Sequence, residues 1–166
     1  FRLDTPDRGG KAGFYKINIG ALLGLYDWRY EIISLAAHID YMQRHFWQTK
    51  YGVSFPRIKK FTGCFDPPYP VSDREYIQII TLMRVLFPDI TITLSTREPA
   101  SFRDNILKCG ITSISAESST APGGYSGKDE LEQFQISDHR SLDDIKTVLA
   151  KQNFEPVFKD WEPILS

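Results

Sequence analysis

At 166 residues with 42% hydrophobic side chains, the chain holds enough apolar material for one core and reads as a single domain over residues 1–166. Its 20 basic and 21 acidic residues give a formal charge of −1, without the positive excess that would attract nucleic acid or an anionic membrane. The longest apolar run, Ile17 to Leu25, is broken by Asn18 and two glycines and is far shorter than the ~20 residues of a membrane span; no targeting segment is visible.

The chain opens at Phe1 with FRLDTPDRGG and no initiator Met, as expected of a piece of something longer. Thr5-Pro6 reads as an N-cap followed by proline, with Gly9-Gly10 keeping any helix short. Strand one follows over Tyr15 to Gly20. Asp27 caps a long helix whose residues Ile32, Leu35, Ala36, Ile39, Met42 and Phe46 form one buried stripe. Gly52 leads into strand two, Val53 to Pro56, and then into a proline-rich loop at Phe65 to Pro70. Ser72-Asp73-Arg74-Glu75 is a capping box, opening a helix with Tyr76, Ile79, Ile80, Met83 and Leu86 on one side until Pro88 stops it.

Strand three alternates Ile92 and Leu94 with Thr91, Thr93, Ser95 and then Arg97. The capping signal recurs at Ser101-Phe102-Arg103-Asp104, early in the third helix. Strand four places Ile114 and Ala116 on one face and Ser113, Ser115 and Glu117 on the other. Pro122-Gly123-Gly124-Tyr125 is a loop signal, equally at home in a lid or a plain connection. Ser141-Leu142-Asp143-Asp144 opens a fourth helix with Leu142, Ile145, Val148 and Leu149 as its stripe.

This βαβαβαβα order predicts an α/β fold with a parallel sheet, in four units where a closed barrel of ~250 residues needs eight. By parity, Ile17, Ile19, Val53, Phe55, Ile92, Leu94, Ile114 and Ala116 face the helices. Asn18, Gly20, Ser54, Thr93, Ser95, Arg97, Ser113 and Ser115 face the other way. So small and polar a lining suits a lumen holding water or a polar ligand, or a two-layer sheet whose second face is simply wet.

Arg97 stands at the carboxyl end of its strand, where parallel α/β folds build their sites, and its planar fork suits a carboxylate. Ser115 and Ser118 are placed to complete such a clamp; the alternative is a structural ion pair of Arg97 with Glu98 or Glu117. Gly20, Ala21 and Gly24 lie just past strand one, where two glycines either admit a flat ring or a ribose or serve the turn alone. Ser54 and Arg57 are expected at the same rim. His38, His45 and His139 lack metal-ligand spacing. Cys64 and Cys109 are too few for a zinc or cluster motif; a reduced cytosolic pair and a mutual disulfide both stay open.

GALLGLYDWRYE, HIDYMQRHFW, YGVSFPR, ITLSTRE, FRD, SISAESST, PGGY, LEQF, DHRS and PVFKDWE resemble, in order along essentially the whole chain, the carboxyl-terminal half of the 2-iminoacetate synthase family, the tyrosine lyases of thiamine synthesis. The resemblance implies a (βα)4 half of a TIM-type radical S-adenosylmethionine (SAM) barrel, strands five to eight, with helices on its outer face. It implies cleavage of the Cα–Cβ bond of tyrosine to p-cresol and dehydroglycine in the cytoplasm, with a [4Fe-4S] cluster and SAM as cofactors. Arg97 and Ser115 match positions expected to hold the substrate carboxylate, Ser54 and Arg57 would line the same mouth, and Gly20 through Gly24 match the segment lying along the adenosyl group. The family's CxxxCxxC cluster loop is absent, so the isolated chain is expected to be inactive without an amino-terminal half; that half, tyrosine and thiazole synthase are the implied partners. The hydrogenase maturase that also cleaves tyrosine resembles this half too, but continues into a cysteine-bearing tail. Outside this class, the chain reads as a free-standing half-barrel binding a carboxylate metabolite or a partner, with edges closed by a second copy.

Overall fold

The computed structural model describes residues 1–58, 65–119 and 136–158; Cys64, the Pro122–Tyr125 loop, the LEQF segment and Lys159–Glu162 lie outside the described residues. Four parallel strands, β1 (Lys16–Gly20), β2 (Lys50–Ser54), β3 (Thr91–Leu94) and β4 (Ser113–Ile114), pair in the order β1-β2-β3-β4. The helices are α1 (Thr5–Lys11), α2 (Trp28–His45), α3 (Asp73–Leu86), α4 (Ala100–Ile106), which runs on into a 3-10 turn at Leu107–Cys109, and α5 (Leu142–Lys151).

The caps explain where most helices begin. The Asp27 side chain accepts the Arg29 N–H at α2, and reciprocal Ser72–Glu75 and Ser141–Asp144 boxes close the first turns of α3 and α5. Glu75 also receives the Trp28 indole N–H at 3.0 Å, tying α3 to α2. Ser72→Ala is therefore expected to cost about 1 kcal/mol, read as a lowered urea midpoint. Ser101 lies early in α4, as expected, but does not cap it: the helix begins at Ala100 behind Pro99, with no side-chain cap. At α1 the N-cap is Asp4 rather than Thr5.

The second strand also starts earlier than its sequence suggests. Gly52 pairs with Asn18 and Thr91 within the ladder. Pro56, without an N–H, lies beyond it and offers only its carbonyl, which accepts the Leu23 N–H at 2.8 Å. Ile58 N–H returns to the Leu23 carbonyl at 2.8 Å, so the chain leaves β1 at Gly20, bows out through Ala21 and Leu22, and rejoins β2 by a parallel bridge between Leu23 and Arg57.

One core fills the space between sheet and helices. Ile17, Val53, Phe55, Ile92 and Leu94 meet Ile32, Leu35, Ile39 and Met42 of α2 and Tyr76, Ile79, Ile80 and Met83 of α3. The α5 stripe is shallower, with Ile145 alone fully buried. On the opposite face the register sets Asn18, Gly52 and Thr91 in one row and Gly20, Ser54, Thr93 and Ser113 in the next. The side-chain alternation expected from the sequence is the one the sheet adopts. No helix among the described residues is long and apolar enough to cross a membrane.

Candidate functional site at the carboxyl ends of the strands

Gly20 and Ser54 stand side by side at the ends of β1 and β2. Ser115 follows β4, with its N–H on the Leu94 carbonyl at 3.0 Å. Arg97 sits in the turn after β3, its N–H on Ser95 Oγ at 3.3 Å. Its neighbours Thr96 and Glu98 are buried, the Thr96 carbonyl accepting the N–H groups of Ser137 and Asp138 at 3.0 Å each, whereas Arg97 is half-buried and desolvation lowers its pKa. The sheet thus brings Gly20, Ser54, Ser115 and Arg97 to one rim. Ser118 is also half-buried, and Glu117, at φ 48°, accepts the Leu142 N–H through Oε1.

Arg57 requires a correction. It was expected to line the mouth with Ser54, but it shares the parity of Val53 and Phe55 and lies in the helix layer, 7% exposed. Its Nε donates to Glu98 Oε1 at 2.9 Å and its Nη2 to Glu98 Oε2, while Nη1 donates to Asp73 Oδ1 at 2.8 Å and to the Val71 carbonyl at 3.0 Å. The guanidinium lies 4.6 Å from the Tyr76 ring centroid and 5.0 Å from that of Phe102. Burial disfavours its charge, but Glu98 and Asp73 outweigh that and raise its pKa; burial also pushes the Tyr76 phenol well above its usual range.

A second buried arginine, visible in the sequence only as part of a helix-start signal, anchors the end of β4. Arg103 of α4 donates to Asp138 and to the Ser115 carbonyl, with no partner for its Nε among the described residues. Arg140 bridges Asp138, at 2.7 Å and 2.9 Å, to Asp104, at 2.9 Å and 3.0 Å. The available signal was a charged residue on α4's apolar side, in step with Ala100 and Ile106.

The glycines divide by role. Gly24 is buried with φ 118°, and an added Cβ would lie 3.2 Å from Pro67 and 3.3 Å from Ile58, so the turn itself demands it. Gly20 and Leu22 are exposed and Ala21 half-buried, leaving an open backbone shoulder just past β1. No group of three His, Cys, Asp or Glu able to hold a metal occurs among the described residues, and the sequence contains two cysteines, fewer than the three of a CxxxCxxC loop. Cys109 is a free, half-buried thiol. A cavity of about 480 Å³ lies elsewhere, between the opening residues of the strands (Lys16, Thr91, Ser113), α5 and the stretch Phe154 to Phe158.

Four parallel βα units, helices over the apolar face and hydroxyls gathered at the strand ends define an α/β half-barrel with its candidate site at the carboxyl rim. The Biotin and Thiamin Synthesis associated domain model matches residues 54–155, and the chain belongs to that family. It is 44% identical over 164 residues to a 2-iminoacetate synthase of Salmonella typhimurium, covering 98% of this chain and 44% of that protein. It is 44% identical over 167 residues to the Escherichia coli 2-iminoacetate synthase, covering 99% and 44%. The chain therefore spans less than half the length of these relatives. Among solved structures, it resembles HydG, a maturase of the [FeFe]-hydrogenase, with a TM-score of 0.86 at 32% identity over 95% of this chain and 35% of that one. HydG from Carboxydothermus hydrogenoformans gives 0.81 at 39% identity over 95% and 36%.

Proposed function

We propose that this chain is the carboxyl-terminal half, strands five to eight, of a radical SAM lyase that cleaves the Cα–Cβ bond of tyrosine to p-cresol and dehydroglycine for the thiazole of thiamine. The observation that carries this reading is the 44% identity to two 2-iminoacetate synthases along nearly the whole chain. The amino-terminal half supplies the cluster ligands that this chain lacks, and SAM bound there supplies the radical that starts the reaction. Alone, the 166 residues form no p-cresol. The reaction takes place in the cytoplasm, with thiazole synthase as the receiving partner.

Within this half, Arg97 presents a planar fork to the amino acid's carboxylate, and Ser115 donates to the same group from the next strand. Ser54 lines the approach. The shoulder at Gly20 and Ala21 lies along the adenosyl group, and Gly24 shapes the turn behind it. Holding the carboxylate at the rim fixes the Cα–Cβ bond relative to the source of the radical, the positional part of the catalysis.

The test is Arg97→Lys in the full-length lyase, which keeps the charge and loses the fork. Tyrosine binding should weaken by about 1–3 kcal/mol with SAM binding unchanged. Unaltered tyrosine affinity would remove Arg97 from the site, and p-cresol formed by the isolated chain would overturn the division of labour between halves.

A further inference from the structure

We propose that Arg57 and Glu98 act as a buried positioning clamp that sets where Arg97 stands, and through it the affinity for the substrate carboxylate; this rests on the reading of Arg97 above. Arg97 is a central residue of the turn that Ser95 and Glu98 close, the Glu98 N–H donating to the Ser95 carbonyl at 3.3 Å. Glu98 is 1% exposed and gripped through both oxygens by the Arg57 fork, so the residue that closes this turn is fixed in the helix layer and the backbone that carries Arg97 is fixed with it. The clamp is itself held rigidly. Asp73 and Val71 take the remaining Arg57 amino group, and the Tyr76 and Phe102 rings flank the guanidinium. Elements following β2 and β3 and leading into α3 and α4 thereby converge on one guanidinium, one residue away from Arg97.

Stability alone is a poor explanation for this pair. A buried ion pair repays its desolvation only in part, and well-packed apolar side chains of similar size often do as well or better. What an apolar pair lacks is direction. A forked arginine–carboxylate pair fixes distance and plane together, which suits a turn whose next residue must meet a ligand within a fraction of an ångström.

The discriminating variant is the double replacement Arg57→Met with Glu98→Leu in the full-length lyase, which removes both buried charges together and leaves Asp73 at the surface. Tyrosine binding to the SAM-loaded protein is measured beside wild type and Arg97→Lys, with SAM affinity and the thermal midpoint as companion readouts. We expect a folded protein with unchanged SAM affinity, about 10- to 100-fold weaker tyrosine binding, and little further loss when Arg97→Lys is added. Should the double variant fail to fold, Arg57→Lys, which keeps the charge pair without the fork, is read by the same criterion. Weakened binding in Arg97→Lys with full affinity in the clamp variant that folds overturns the clamp alone. Full affinity in Arg97→Lys overturns the reading of Arg97 and the clamp with it. Losses that simply add in the combined variant assign Arg57 and Glu98 to the scaffold and also overturn the proposal.

Discussion

Replacing Asp138 with alanine is expected to cost about 3–5 kcal/mol, because it strands Arg103, which is fully buried, without its counter-charge. Asp138 joins Arg103 and Arg140, and through them α4, the Ser115 carbonyl and Asp104. Its removal should loosen α4 and the end of β4 together. Burial pushes the Asp138 carboxyl up, but hydrogen bonds from Arg140 and the charge of Arg103 outweigh this and hold it down at about 2. The folded value thus lies below the unfolded one of 3.8. The stabilisation, roughly 2 kcal/mol, is complete above pH ~4 and is lost as pH falls through the folded value. Urea unfolding at pH 7, repeated between pH 4 and pH 2, checks both parts. Asp138→Ala should lower the midpoint at neutral pH, and the milder Asp138→Asn should flatten the acid limb relative to wild type. A cost under 1 kcal/mol would mean that Arg103 finds another counter-charge.

The second large effect is expected at Gly20→Ala. A methyl group there would overlap the Ser54 carbonyl oxygen, a backbone atom with no torsion to absorb the clash, so β1 and β2 must part at their carboxyl ends. Overpacking of this kind costs about 1–3 kcal/mol, and the backbone collision puts Gly20 at the upper end. Gly52→Ala is the matched control on the same face. Its new Cβ would lie 2.5 Å from Asn18 Oδ1, the movable end of an exposed side chain, so its cost should stay below about 1 kcal/mol. Comparing the two urea midpoints separates collision with the chain from simple crowding; equal costs would refute the distinction.

The sheet and its two faces were legible because alternation between apolar and polar residues is a backbone property that tertiary contacts did not override in β1 and β3. The Asp27, Ser72 and Ser141 caps were legible for the same reason: their partners lie within three residues. Arg57 was misplaced although its parity with Phe55 already assigned it to the helix layer. Its position past the strand end points to the rim, whereas its side of the sheet points away from it. Its partners Asp73 and Glu98 lie 16 and 41 residues away, and nothing local announces such pairings. The Arg103–Asp138 contact spans 35 residues and was hidden likewise.

The short excursion of the chain through Ala21 and Leu22 has one more effect. Because Leu23 is stitched to Pro56 and Ile58 on either side of Arg57, a single tripeptide is fastened both to the glycine shoulder and to the turn bearing Arg97.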